Sequence, residues 1–155
     1  MIGDPNQLPA TIFSQKSLAH KYDQSLFERL MKSQYPVNIL KTQYRMHPEI
    51  SSVIGDNFYA QKLNNWEGLI AEEPLTTPKS FMIFHMEDAP EFTYKKSFRN
   101  LVEAKAIKDF AIYLTKYYED IGIISPYSQQ VSLIQSLIPK HKKCEVKTID
   151  SFQGR

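Results

Sequence analysis

"DIGIISPYSQQVSLIQSLIPKHKKCEVKTID" occupies residues 120–150, and its chemistry changes character twice along its length. Ile121, Ile123 and Ile124 gather β-branched residues into a short apolar run that ends at Ser125 and Pro126, the pattern of a strand running into a turn. Val131, Ile134 and Leu137 then recur at helical spacing, and "CEVKTID" reads as a second strand. Two strands joined by one helix form a right-handed parallel crossover. An α/β fold follows, with helices flanking a parallel sheet and binding loops at the carboxyl ends of the strands.

The alternation extends upstream. Asn100 and Glu103 make a capping signature ahead of Val102, Ile107, Phe110, Ala111 and Leu114, which predicts the longest helix. "FMIFHM" (81–86) and "PVNIL" (36–40) read as further strands. Pro48 suits the first turn of a helix carrying Ile50, Val53, Ile54 and Phe58. Asp23 or Ser25 caps another, with Glu28 completing a capping box and Leu26, Phe27, Leu30 and Met31 on one face. Residues 61–80 hold no period and read as a surface excursion, and residues 87–99 are polar and aromatic without period.

At 155 residues, 42% hydrophobic and 23% charged, the chain has the composition of one globular domain. A net charge of +2 neither demands nor excludes a nucleic-acid partner, so any phosphate-binding surface must be local. Cys144 is the single cysteine, which rules out an internal disulfide and points to a reducing, intracellular setting in nucleus or cytoplasm. No cysteine or histidine spacing suggests a metal site, and no apolar run is long enough to span a bilayer.

Unusual loops sit where strands end. "GDPNQLPAT" (3–11) is a rigid turn in which Gln7 alone lacks a turn-making task, although a well-formed turn explains the rest. "TQYRMHPEI" (42–50) places Arg45 between a strand and a proline-started helix, where its guanidinium can reach an anion, beside the stacking face of Tyr44. The alternative pairs Arg45 with Glu49 and buries Tyr44. His47 reads as a local hydrogen-bonding residue. "ISPYSQQ" (124–130) combines Ser125, Pro126 and Tyr127 with two amides, a set suited to a nucleic-acid backbone or to helix capping by Ser125 or Ser128 with the amides solvated. "KTIDSFQGR" (147–155) ends a strand in Thr148, Asp150 and Ser151.

In order, these loops resemble a known family, the superfamily 1 helicases of the senataxin and nonsense-mediated-decay group. "GDPNQLPAT" is similar to helicase motif III, "QYRMHPEI" to motif IV, "IGIISPYSQQ" to the nucleic-acid-facing motif that follows, and "VKTIDSFQGR" to motif V, with "SLFERL" also fitting the group. The resemblance implies a RecA-like fold, incomplete at both ends: residues 1–34 would end the first RecA-like lobe, with Met1-Ile2 the tail of a core strand, and residues 35–155 would form the second lobe. It implies ATP between the lobes, Gln7 sensing the γ-phosphate, Arg45 as arginine finger and Tyr44 near adenine. Ser125, Pro126, Tyr127, Thr148 and Ser151 would face the backbone of single-stranded RNA or DNA.

The sequence contains no "GxxxxGK[ST]" phosphate loop and no acidic pair of the kind that holds Mg²⁺, so those elements are expected on the other lobe of a longer polypeptide. The fragment alone is then expected to lack ATPase activity. A non-motor nucleic-acid-binding module derived from a helicase lobe is the alternative function.

Overall fold

Short-range capping chemistry sets where several of the helices begin. The structure, a computed structural model, describes residues 2–60, 63–69, 79–139 and 144–154. These fall into two units, Met1–Met82 and Ile83–Arg155.

In the first unit, Ser14 Oγ accepts from the Ser17 N–H and starts α1, Gln15–Ala19. Ser25 Oγ likewise accepts from the Glu28 N–H at 3.1 Å and starts α2, Leu26–Lys32, where Glu28 also pairs with Lys32 one turn on. Phe27 and Leu30 are half-buried, whereas Leu26 and Met31 are exposed, so the inward face of α2 is narrower than the periodicity predicts. The Phe27 ring lies against the backbone at Gly3.

The strand β1, Thr42–Gln43, pairs in parallel with β2, Asn64–Asn65, and α3, Pro48–Phe58, follows β1 with proline in its first turn. His47 caps α3 by accepting from the Glu49 N–H at 3.3 Å, the local role its sequence context predicts. Ser51 and Gly55 form the buried stripe of α3, while Phe58, expected on the apolar face, is exposed. A single 3₁₀ turn, Glu67–Leu69, follows β2, so part of the aperiodic stretch is ordered; residues 61–62 and 70–78 lie outside the described residues.

Two expected strands are corrected. Residues 36–40 and 81–86 belong to no strand or helix, and Leu40 is 87% exposed. Ile2 also lies outside any strand, and Met1 lies outside the described residues. A strand exists through its ladder, and apolar residues without a hydrogen-bonding neighbour do not make one.

The second unit carries the core. A hairpin of β3, Phe92–Tyr94, and β4, Ser97–Arg99, occupies the stretch in which no period is legible. Asn100 Oδ1 accepts from the Glu103 N–H at 3.1 Å and starts α4, Leu101–Leu114, the longest helix among the described residues. Then come β5, Ile121–Ser125, α5, Ser128–Leu137, β6, Cys144–Thr148, and a short α6, Ile149–Phe152.

The strands β5 and β6 pair in parallel from Ile121↔Cys144 to Ser125↔Thr148, with α5 as the crossover between them. This is the α/β unit the sequence predicts, except that the strand expected over 144–150 ends at Thr148 and Ile149 opens α6. Ala104 and Ala111 of α4 meet Ile123, Val131, Ile134, Ile138 and Val146 in one buried cluster, with Ile107 and Leu137 packed at its edge. Val102 and Phe110 stay largely outside it, because the alanine stripe of α4 lets that helix approach closely on another face. Gly122 serves close packing too: a Cβ there would sit 3.3 Å from the Phe152 ring of α6.

Candidate functional site

In the first unit, the loop 3–11 is organised by the Asp4 carboxylate. Its Oδ1 accepts from the Asn6 N–H at 3.0 Å, and its Oδ2 accepts from the Gln7 side chain at 3.1 Å and from the Tyr59 hydroxyl at 2.5 Å. Asn6 Nδ2 donates to the Phe58 carbonyl at 2.8 Å, so the loop is tied twice to the C-terminal end of α3. Partial burial raises the Asp4 carboxyl, but the hydrogen bonds from Tyr59, the Asn6 N–H and Gln7 outweigh it and hold the group below its ordinary value. The Tyr59 phenol is pushed up to about 12, first by its bond to Asp4 and then by burial. Gln7 is exposed, with its amide nitrogen engaged and no hydrogen bond to its side-chain oxygen among the described residues.

Gln43 builds the second loop. Its side-chain oxygen accepts from the N–H groups of Arg45 and Met46 at 2.9 and 2.7 Å. Its amide nitrogen donates to the Met46 carbonyl at 2.8 Å and to Asn65 Oδ1 on β2 at 2.7 Å. One carboxamide thus fixes the backbone at both sides of the residue that carries the guanidinium. Arg45 is exposed and forms no ion pair among the described residues, while Glu49 instead accepts from Ser80 Oγ. The Arg45–Glu49 pair is therefore not made. Tyr44 is 66% exposed, its ring 5.9 Å from that of Trp66, so it is not a core residue either.

In the second unit, the register Ser125↔Thr148 sets the carboxyl ends of β5 and β6 side by side. The loop 125–127 and the turn into α6 therefore leave the sheet together. Ser125 is buried, its Oγ accepting from the Tyr127 N–H at 3.2 Å, whereas Pro126 and Tyr127 are exposed. Thr148 Oγ1 and Ser151 Oγ lie 2.9 Å apart, with Ser151 exposed. Neither serine caps α5: its N-cap is Tyr127, with no side-chain cap hydrogen bond. The two amides are not both solvated, since Gln130 is only 4% exposed. Gln130 accepts from the Asn100 N–H at 2.8 Å and donates to the Asn100 carbonyl at 3.1 Å, joining α5 to the start of α4. A cleft of about 270 Å³ adjoins this pair, with Arg99, Glu103, Pro126 and Tyr127 in its lining.

Residues 22–155 match the protein family described as an AAA domain. The chain is 33% identical to the probable helicase MAGATAMA 3 of Arabidopsis thaliana, and the alignment takes in 100% of this chain and 21% of that protein. It is 33% identical to helicase SEN1 of Saccharomyces cerevisiae over 100% of this chain and 8% of the relative. The probable helicase senataxin of Mus musculus is 32% identical, over 100% of this chain and 7% of its own length. The chain belongs to the superfamily 1 helicases of the senataxin group. The parallel strand–helix–strand unit of β5, α5 and β6 is consistent with the RecA-like domain of that helicase family.

For this helicase-family chain, sequence reasoning passed over Gln43, Tyr59 and Gln130 as organisers of the loops. Gln43 carried a local signal, an amide two residues before an arginine at a strand end. Tyr59 acts on a loop 55 residues away and Gln130 on a helix start 30 residues away, which no local pattern announces. Among the described residues there is no cluster of three His, Cys, Asp or Glu side chains able to hold a metal, and no helix is long and apolar enough to cross a membrane.

Proposed function

We propose that this chain is part of an ATP-dependent helicase that moves along single-stranded RNA or DNA, with residues 1–34 ending a first RecA-like lobe and residues 35–155 belonging to the second. The observation that carries this reading is the Ser125↔Thr148 register, which sets side by side, at one end of a parallel strand pair, the two loops that we read as gripping the strand. Pro126 and Tyr127 offer an apolar turn and a ring to the strand, and Thr148 and Ser151 offer hydroxyls to its phosphates. Ser125 acts by shaping the loop, since it is buried and its oxygen accepts from the Tyr127 N–H.

The nucleotide-facing residues suit a triphosphate. Gln7 presents a carboxamide from a loop that Asp4 holds, and Arg45 presents a planar guanidinium from a loop that Gln43 holds, with no carboxylate neutralising it among the described residues. ATP supplies the phosphoanhydride whose cleavage drives movement. Arg45 stabilises charge on the transferring phosphoryl group, Gln7 senses the γ-phosphate, and the exposed Tyr44 ring packs near adenine. Among the described residues no three His, Cys, Asp or Glu side chains cluster to hold a metal, and we assign Mg²⁺ to the other lobe of the enzyme. The bonds from Asp4 and Asn6 to Tyr59 and Phe58 then connect the γ-phosphate sensor to the helix that follows the arginine finger.

Binding of the full-length protein to a labelled single strand tests the reading. A Thr148→Ala, Ser151→Ala double variant should bind more weakly with an unchanged melting temperature. Binding equal to the parent's would count against the strand path. The alternative, a non-motor binding module, predicts the same binding loss but no strand-stimulated ATP hydrolysis by the parent.

A further inference from the structure

The hairpin of β3 and β4 closes with Lys95 and Lys96, which occupy a two-residue turn between the paired Tyr94 and Ser97. Both have positive φ, 48° for Lys95 and 64° for Lys96. Such a turn takes Asn-Gly at least cost, and a side chain with a Cβ is disfavoured at each place. Two adjacent lysines in this conformation are a local conflict that packing does not explain, since both are exposed. Next to them, the Arg99 guanidinium lies 4.2 Å from the Tyr94 ring centre, and Phe92 is 57% exposed on the same hairpin. The hairpin also abuts the strand-facing loop: the Phe98 ring meets Tyr127 edge-on at 5.2 Å, and Ser97 Oγ accepts from the Gln129 N–H at 3.4 Å.

Cations beside exposed rings are the combination that holds a single strand, the cations on phosphates and the rings on bases. Glu91 and Glu103 share the lining of the adjoining cleft, so it is the turn and Arg99 that offer positive charge. We propose that the β3–β4 hairpin is a further single-strand contact, which extends the path from Tyr127 over Phe92 and Tyr94 to the lysine turn. The inference rests on the reading of Ser125–Tyr127 and Thr148 as a strand path. It adds a surface that composition, with its near-neutral net charge, conceals.

The test uses the full-length protein with labelled oligo(U) and oligo(dT) of about 12 nucleotides, within the range of single-strand sites. The variant K95N/K96G removes both charges and gives the turn the residues it prefers, so its melting temperature should not fall. It should bind more weakly to whichever strand the parent binds, with a salt dependence shallower by about 1.4, from two phosphates at about 0.7 each. The charge-retaining K95R/K96R should bind like the parent, and equal loss in both variants would overturn the role of charge. Unchanged affinity and salt slope in K95N/K96G, with Thr148→Ala, Ser151→Ala still weakened, would overturn the hairpin contact and leave the strand path standing. A parent that binds neither oligonucleotide would overturn the underlying reading and this contact with it.

Discussion

The hydroxyl of Tyr59 donates a 2.5 Å hydrogen bond to Asp4 Oδ2, the same oxygen that accepts from the Gln7 side chain at 3.1 Å. Residues far apart in the chain therefore share one acceptor. The bond makes Gln7's position depend on the end of α3, and its protonation chemistry is readable at both extremes of pH.

Asp4 titrates below its ordinary value of 3.8, so what it adds to stability is present above that pH and is lost as pH falls through the lower folded value. Tyr59 is raised from 10.0 to about 12, so its contribution is complete below pH 10 and is lost as pH rises towards 12. Tyr113, hydrogen-bonded to Tyr117, is raised as well, so tyrosinate formation followed by ultraviolet absorbance should show more than one late-titrating phenol, and Tyr59→Phe should remove one of them. A late-titrating absorbance that is undiminished in that variant would assign the Tyr59 shift elsewhere.

Gln43→Ala should release the loop that carries Arg45, because four hydrogen bonds leave with one side chain. Water can replace them in part at this half-buried site, so the stability cost is about 1 to 2 kcal/mol. In the full-length enzyme kcat should fall by about 10- to 100-fold, the effect of a misplaced catalytic group. A variant with normal kcat would show that Arg45 needs no such support.

Gln130→Ala should destabilise more than its neighbour does. Both Asn100 and Gln130 are buried, at 3% and 4% exposure, so the Asn100 N–H loses its partner without access to bulk water. A loss of about 2 to 4 kcal/mol is expected by chemical denaturation, against about 0.5 or less for Gln129→Ala, which keeps its backbone bond to Ser97. Equal effects would remove the bridging role.

What the sequence made legible divides by range. Ser25 with Glu28 and Asn100 with Glu103 mark helix starts through contacts three residues apart, Pro48 marks one through its fixed φ, and each start falls where these signals place it. The run 121–125 and the strand 144–148 were readable because an amphipathic helix between them dictates parallel pairing. "PVNIL" misled because a strand needs a partner that its own composition does not supply. The β3–β4 hairpin was missed for the converse reason: Lys95-Lys96 is not a turn signal, and the aromatic residues around it carry no simple alternation. The strand-end loops were visible as chemistry, whereas Ser125's burial and Gln130's bridge depend on packing by distant elements.

The 155-residue chain on its own should not hydrolyse ATP appreciably, even with saturating single-stranded RNA. An arginine finger without a phosphate loop has no held transition state to stabilise. Turnover that survives further purification and vanishes in Arg45→Ala would place the catalytic centre within this chain.

Steady-state ATPase kinetics and a melting curve on Arg45→Ala in the full-length enzyme test the central claim most directly. Arg45 is exposed and forms no ion pair among the described residues, so its removal should leave the melting temperature unchanged. If its guanidinium stabilises charge on the transferring phosphoryl group, kcat should fall by roughly 10³-fold or more while nucleotide affinity changes much less. Arg45→Lys should rescue poorly, because a point charge does not reproduce the planar fork. Normal kcat with a lowered melting temperature would contradict the account.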